Sequence, residues 1–245
     1  MQPKPDSCAG CQLAHSSRGF IPPAGPPAAD LLFLGEAGGA REAIEESPFV
    51  GEAGGLLNRA LWFLDRDRKG IRISNLLSCS PPGNWLDGAP WEHAAIAHCR
   101  RHLDPVLGEG HKVVVTLGAV ATRHLLGIQS ADFHIKDFHG TVHRDEARGL
   151  WIVPTFHPSH IQRGAFNLFG TLLWDLGVAF DLAKANTYIR DPYTLQLDPP
   201  VEWFAAWVDA VLAAREACWL AVDIETPDKE RKTEEGYLGA KARSQ

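Results

Sequence analysis

The chain has 245 residues, of which 45% are hydrophobic and 22% are charged, and its formal net charge is −6 with histidine taken as neutral. This composition is typical of a globular protein and excludes a wholly disordered chain. The acidic balance excludes a protein that holds nucleic acid through a general excess of positive charge, so any nucleic-acid site must combine a local basic patch with specific contacts.

Strand and helix patterns alternate along most of the chain. Residues 1–29 are rich in Pro, Gly and Ser and are predicted to form a loop that is tied down locally. Short apolar runs then predict strands at residues 30–35, 71–77, 111–118 and 150–156. Apolar residues at helical spacing predict helices at residues 54–64, 90–107, 119–126 and 159–184. This alternation predicts a three-layer α/β/α fold with a mostly parallel central sheet.

Ligands of such folds bind beyond the carboxyl ends of the parallel strands. In this chain the segments that follow those ends are residues 35–51, 75–84 and 157–163. We therefore expect the functional residues in these three segments.

The sequence changes character after residue 185. Residues 186–201 contain Asp-Pro and Asp-Pro-Pro and are predicted to form a linker. A helical pattern at 202–215 and a strand pattern at 217–225 follow, and the strand would bury Cys218. We therefore expect a domain at 1–185, a linker at 186–201 and a separate partial segment at 202–245.

Four of the five cysteines are spaced as metal ligands often are. Cys8 and Cys11 form a C-x2-C pair, and Cys79 and Cys99 come from distant elements. Four thiolates suit Zn²⁺ or an iron–sulfur cluster, and His98 is an alternative ligand. The other interpretation is that the two distant cysteines are buried apolar side chains.

The cellular compartment affects whether these cysteines can form disulfides. No run of residues approaches the roughly 18 apolar residues of a membrane span, and the N-terminal segment lacks the apolar core of a signal peptide. We therefore expect a cytoplasmic protein with no membrane partner. In that compartment cysteines are more readily explained as metal ligands or buried thiols than as a disulfide framework.

A glycine-rich segment, Gly35-Glu-Ala-Gly-Gly-Ala-Arg-Glu42, directly follows the first predicted strand. Glycines let a ligand approach the backbone, and successive N–H groups can bind a carbonyl or an anion, although a tight turn is the other interpretation. No Gly-Lys-Ser/Thr follows, which excludes a phosphate-binding P-loop. Phe49 adds an aromatic ring that can stack on a planar ligand.

Two polar residues at strand ends complete the candidate site. The Asn75 amide offers one acceptor and two donors, which match the O4 and N3–H edge of uracil, although an Asn here can also simply cap a turn. His157, in the sequence His-Pro-Ser, can donate a hydrogen bond to a developing oxyanion, although a purely structural histidine is the alternative.

The order of these motifs resembles that of the family 4 uracil-DNA glycosylases. The shared pattern is C-x2-C, GEAGG-x2-E, PFVG-x-AG-x-LL, N-x3-C-x-PPGN, a further Cys, VVVTLG-x2-A and HPS-x3-R, and it runs from Cys8 to about Lys184. The resemblance implies an enzyme that removes uracil from DNA by hydrolysing the N-glycosidic bond of a flipped-out base. It also implies a monomer with a [4Fe–4S] cluster on Cys8, Cys11, Cys79 and Cys99.

The resemblance further implies roles for individual residues. Glu36 matches the glutamate of the first motif, and Glu42 matches the acidic residue that positions or activates water. Phe49 matches the ring that stacks on uracil, Asn75 the asparagine that reads its edge, and His157 the histidine that stabilises negative charge on uracil O2. The remaining candidates are Asn84 as a catalytic residue, and Ala37, Ser159 and Arg163 as substrate-binding residues.

Two departures from the family pattern bear on this interpretation. Gly38 stands where the family usually has proline, which predicts a looser loop. His160-Ile-Gln162 stands where an aromatic residue and two leucines usually precede Arg163. Because that segment inserts into the duplex in relatives, we expect a weakened apolar wedge and less efficient base flipping, with the bond-breaking groups unaffected.

The segment Ala221-Val-Asp-Ile-Glu-Thr-Pro227 resembles the first motif of DnaQ-like 3′–5′ exonucleases. Asp223 and Glu225 lie two residues apart on a predicted strand, so both face one side and can bind divalent metal ions. Too few residues follow to complete a nuclease domain, so the likeness predicts a truncated start.

This likeness suggests an alternative function. The chain can be a non-catalytic DNA-binding module at the N-terminus of a phage-type DNA polymerase, with polymerase and exonuclease domains in cis. A zinc-stabilised interaction domain is a third interpretation, and it would be colourless because Zn²⁺ is d¹⁰.

Overall fold

The computed structural model describes residues 3–129, 133–188 and 201–213. The chain divides into two compact units, residues 1–189 and 190–245. In the second unit the described residues form one helix, α7 (Val201–Ala213), which agrees with the helix predicted at 202–215. The predicted strand at 217–225, with Cys218, Asp223 and Glu225, lies outside the described residues.

The described strands of the first unit form a single sheet. They are β1 (Leu31–Ala37), β2 (Arg72–Leu77), β3 (Val113–Leu117), β4 (His143–Asp145) and β5 (Leu150–Thr155), in the order β2-β1-β3-β5-β4. The four longer strands are parallel, and β4 pairs antiparallel with β5 at the edge. The mostly parallel sheet was therefore predicted correctly. The short β4 was missed because His-Arg-Asp carries no apolar pattern.

Helices cover both faces of the sheet. They are α1 (Ala40–Glu45), α2 (Glu52–Phe63), α3 (Glu92–Leu107), α4 (Ala119–Leu126), α5 (Pro158–Gln162) and α6 (Phe169–Ala185). Phe33 and Val115 pack with α2 and α6, whereas Leu32 and Val114 pack with α3 and α4. Because alternate residues of a strand point to opposite faces, this division confirms the three-layer α/β/α architecture.

The single helix predicted at 159–184 is wrong, because two helices occupy this stretch. α5 ends at Gln162, and α6 begins at Phe169. Gly164 lies between them with φ of 123°, a conformation that an α-helix does not contain. The apolar pattern continues across this break, which is why periodicity alone did not reveal it.

α6 belongs to a stretch, Phe166–Ala185, that is long and apolar enough by composition to cross a membrane. Its Leu172, Leu176 and Ala179 are fully buried within the core on the α2 side of the sheet. Packing in that core accounts for the apolar composition of this helix.

The N-terminal loop is attached to the edge of the sheet. Isolated antiparallel bridges join Arg18 to Ser80 and Ala24 to Ile73, as expected for a loop that is tied down locally. Farther toward the N-terminus, the Ser7 carbonyl accepts a hydrogen bond from the Arg101 guanidinium at 3.0 Å. These contacts bring the C-x2-C pair against α3.

Candidate active site and cysteine cluster

A cavity of about 380 Å³ opens at the carboxyl ends of the parallel strands. The carboxyl end of β1 and the loops that follow β2, β3 and β5 all contribute to its wall, which agrees with the position expected for this fold. The predicted site residues that line it are Glu36, Ala37, Asn84, His157, Ser159 and Arg163. Glu42, Phe49 and Asn75 are not part of this lining.

A second group of side chains lies next to the cavity: Phe49 and Asn75 lie against Gly35, and His157 lies beside Phe49. The ring centroids of Phe49 and His157 are 5.6 Å apart. A Cβ atom built on Gly35 would lie 2.3 Å from Asn75 Oδ1 and 2.7 Å from Cε2 of Phe49. Only glycine therefore lets these side chains approach β1 so closely, and His157 joins this group to the cavity.

Asn75 carries an unsatisfied acceptor. The residue is 5% exposed, and its Oδ1 accepts no hydrogen bond from the part of the chain that the structure describes. Leaving a buried amide oxygen unpaired costs about 1–3 kcal/mol, so a donor from a bound molecule would stabilise Asn75. The position beside the Phe49 ring suits a flat ligand with an N–H on its edge.

His157 is held in one tautomer. Its Nδ1 accepts a hydrogen bond from the backbone N–H of Ser159 at 3.1 Å, and the Ser159 hydroxyl lies 2.8 Å from the same atom. Removal of the imidazole from water, with smaller contributions from Arg163 and His160, lowers the pKa of His157 to about 4. The ring is therefore neutral at pH 7, with its proton on Nε2 as a hydrogen-bond donor.

Glu36 is a titratable carboxyl in the wall of the cavity. Burial, followed by the nearby carboxylates of Asp87 and Glu92, raises the pKa of Glu36 to about 7. A hydrogen bond from the backbone of Asp87 and the charge of Arg123 oppose this rise. Near neutral pH the side chain therefore populates both protonation states, as a group that exchanges protons requires.

Glu42 uses both carboxylate oxygens on the backbone. Oε1 accepts a hydrogen bond from the N–H of Phe49 at 2.6 Å, and Oε2 accepts one from the N–H of Gly39. Glu42 therefore caps the start of α1 and connects the glycine-rich loop to the Phe49 loop. A contact between this carboxylate and water stays a prediction.

Arg68 holds the Phe49 loop from outside the predicted motifs. Its guanidinium donates hydrogen bonds to the carbonyls of Pro48 at 2.7 Å and Phe49 at 2.8 Å. Phe49 has φ of 54°, which costs an aromatic residue about 1–3 kcal/mol and persists only when its surroundings enforce it. A Cβ atom on Gly54 would lie 1.7 Å from the Phe49 carbonyl oxygen, so this approach also requires glycine. No local signal marks Arg68, because it lies 19 residues after Phe49.

Gly38 is tightly packed. It is buried, and a Cβ atom at this position would lie 2.1 Å from Cδ1 of Ile21. In this chain the side chain of Ile21 occupies the space that a proline ring at position 38 would need. Gly38 therefore allows its loop to pack closely against the N-terminal loop, whereas we expected a looser loop.

The cysteine cluster, which consists of Cys8, Cys11, Cys79 and Cys99, lines one small cavity between the N-terminal turn, the end of β2 and α3. All four are free thiols. Burial raises the pKa of Cys99 to about 11, and the charges of Cys79 and Cys8 contribute to the rise. Burial also raises the pKa of Cys8 and Cys79, and a bound metal ion would favour their thiolate forms. The donor set fits a metal centre with four sulfur ligands.

Two residues beside the cluster were not predicted from sequence. His102 Nε2 lies 3.6 Å from Cys8 Sγ. Lys4 Nζ donates to the carbonyl oxygens of Leu13 and Ser17 at 3.0 and 2.8 Å, which closes the N-terminal loop around the cysteines. His98, the alternative ligand, also lines the cavity, but its Nε2 lies 3.0 Å from the Ser7 carbonyl oxygen.

Comparison with known proteins relates these features to a family. The model of the uracil DNA glycosylase superfamily matches residues 22–177. The type-4 uracil-DNA glycosylase of Sulfurisphaera tokodaii is 31% identical over 157 residues, which are 62% of this chain and 70% of that protein. That of Archaeoglobus fulgidus is 31% identical over 63% of this chain and 78% of its own length. That of Thermotoga maritima is 28% identical over 75% of this chain and 90% of its own length.

Proposed function

Because the chain belongs to the uracil-DNA glycosylase superfamily, we propose that it releases uracil from DNA by hydrolysing the N-glycosidic bond of a flipped-out base. The observation that carries this proposal is the unpaired Oδ1 of buried Asn75 beside the Phe49 and His157 rings. An acceptor, an aromatic face and a neutral donor match the three chemical features that uracil offers: N3–H, a flat ring and O2. The polymerase-module alternative has no such support.

Recognition of the base follows from Asn75. Its Oδ1 accepts the N3–H of uracil, and its amide nitrogen donates to O4, whereas cytosine offers the opposite pattern on this edge. Phe49 supplies the ring on which the base stacks. These contacts offset part of the few kcal/mol that extruding a base from the duplex costs.

Bond cleavage needs a place for the electrons that leave the sugar. The Nε2–H of His157 donates to uracil O2 as negative charge develops there, and backbone N–H groups of the loop at Ala37 assist. Glu36 in its ionised form accepts a proton from the attacking water, since it lines the cavity and titrates near neutrality. Glu42 acts by holding the loop.

The other candidate residues contact DNA around the base. Arg163 pairs with a phosphate, because its guanidinium lines the cavity and is exposed at the surface. Ser159 and Asn84 offer hydrogen bonds at the same wall of the cavity.

We also assign a [4Fe–4S] cluster to Cys8, Cys11, Cys79 and Cys99. Four free thiols in one cavity support this assignment, and the reduced state of such ligands suits a cytoplasmic protein. When bound, the cluster supplies iron–thiolate bonds that join the N-terminal loop to the end of β2 and to α3. The chemistry of base release uses none of these residues.

The proposed function is tested with oligonucleotides that contain one uracil, thymine or cytosine. Cluster-loaded protein should convert only the uracil strand to an abasic product, detected as cleavage in alkali. Asn75→Ala should lower this activity by about 100-fold, since the loss of two hydrogen bonds to the base costs about 2–3 kcal/mol. Folded, cluster-loaded protein that binds DNA without base release would contradict the proposal and favour the DNA-binding module.

Replacing Arg68 should weaken substrate binding more than it slows the chemical step. In Arg68→Ala the backbone of Phe49 loses both guanidinium bonds and can leave its strained conformation, so we expect KM to rise about 10-fold. kcat should change less, because His157 and Glu36 stay in place. Steady-state kinetics on a uracil oligonucleotide measure this split.

Arg41→Ala is the matched control for this prediction. Arg41 is exposed and pairs with Glu45 within α1 at 2.6 Å, so its loss should leave both constants near those of the unmodified protein. A fall of kcat by about 10-fold in Arg68→Ala, with unchanged KM, would contradict a role in placing Phe49.

A further inference from the structure

The segment after the His-Pro-Ser motif exposes few apolar groups to DNA. Ile161 is 0% exposed and belongs to the core. Gln162 Nε2 donates to the carbonyl of Glu52 at 2.7 Å, and the exposed His160 ring stacks on Phe156. An apolar side chain in the space that the base leaves would offset part of the cost of unstacking, and this segment does not offer one.

Trp85 is suitably placed for this task. It follows Asn84 in the loop after β2 and lines the same cavity as His157. Its side chain is 49% exposed. Of the large apolar side chains that are exposed within the described residues, Trp85 is the one in the cavity lining.

The indole ring is already fixed in position. Its Nε1–H donates to the carbonyl of Asp87 at 2.9 Å, so the one polar atom of the ring is satisfied inside its own loop. The ring also packs against Trp91, with centroids 5.3 Å apart and planes at 71°. A ring held in this way loses little further freedom when it enters DNA.

An ion network centred on the buried carboxylate of Glu92 anchors the loop that carries Trp85. Asp87 pairs with Arg123 at 2.9 Å, and Arg123 also contacts Glu92, which is 2% exposed. Glu92 accepts the N–H of Gly88 at 2.7 Å and lies 2.8 Å from His124 Nε2. Glu92 and His124 resemble a pair of metal ligands, but the Arg123 guanidinium beside Glu92 would repel a bound cation. We therefore interpret this group as an ionic anchor for the loop.

We propose that Trp85 is the wedge of this enzyme: it enters the duplex and stacks in the gap left by the extruded uracil. This inference rests on the proposed function and names the residue that opens the substrate. An indole presents a large flat surface that stacks on any neighbouring base. Its role should therefore concern double-stranded DNA, because a base in a flexible single strand has no partner and no duplex stack to restore.

The experiment compares kcat/KM for uracil in single-stranded DNA and in a duplex opposite adenine. Trp85→Ala should lose about 10- to 100-fold on the duplex, equivalent to about 1.4–2.8 kcal/mol, and less than about 3-fold on the single strand. Trp85→Phe should recover most of the duplex activity. Phe166→Ala is the matched control, since Phe166 is 66% exposed near α5 but does not line the cavity.

Two kinetic results would overturn the proposal. One is an equal loss by Trp85→Ala on both substrates, and the other is a duplex-specific loss in Phe166→Ala without one in Trp85→Ala. A second measurement is DNA binding by fluorescence anisotropy. It needs no base release, so it tests the role of Trp85 separately from the proposed function. Trp85→Ala should lose the preference for a duplex with an abasic site over an intact duplex, and an unchanged preference would also overturn the proposal.

Discussion

Replacement of His157 with alanine is expected to lower kcat for uracil release by about 10²–10³-fold, with little change in KM. The Nε2–H donor acts on charge that exists mainly in the transition state, so its loss affects the chemical step more than binding. Nδ1 already accepts the N–H of Ser159, which leaves the neutral ring a single donor position. Single-turnover kinetics with saturating enzyme measure the effect directly.

Ser159→Ala is the matched control for the His157 prediction. It removes only the hydroxyl at 2.8 Å from Nδ1 and retains the backbone N–H that selects the tautomer, so we expect a loss of about 10-fold or less. The pH profile gives a second check. Because the pKa of His157 is about 4, its charge should not change between about pH 6 and pH 9. An inflection near pH 6.5 that disappears in His157→Ala would contradict a neutral donor.

Replacement of Cys99 with serine is expected to remove most of the bound iron and to lower the melting temperature by on the order of 10 °C. Cys99 is the most buried cysteine of the cluster, and its thiol has a pKa of about 11 without a metal. In the proposed cluster, the variant would lose the iron–thiolate bond that joins α3 to the N-terminal loop. Iron and sulfide analysis, absorbance near ~400 nm and thermal denaturation measure these changes.

Cys218→Ser is the control for the cluster prediction. Cys218 is not one of the four proposed ligands, so iron content and absorbance should match those of the unmodified protein. Full iron occupancy in Cys99→Ser would contradict the assignment of this ligand. One equivalent of zinc in colourless unmodified protein would exclude the iron–sulfur assignment and favour the zinc-stabilised interpretation.

Local patterns were enough to predict the sheet and the edge at which the cavity opens. The apolar runs that became β1, β3 and β5 are buried on both faces, and such runs are visible in any short window of sequence. Once the strands are parallel, their carboxyl ends share one edge, so Glu36 and His157 had to approach each other although 120 positions separate them in the chain. The C-x2-C pair is a local pattern of the same kind.

Other features depend on contacts between distant residues, and the sequence alone did not reveal them. Arg68 reaches the Phe49 carbonyl only because α2 turns the chain back, and Trp85 is fixed by Asp87 and Trp91 within a loop without regular pattern. The burial of Ile161 in the core likewise depends on the packing of α5 against α2. Periodicity describes which residues repeat along an element, whereas side-chain partners are selected by the packing of several elements at once.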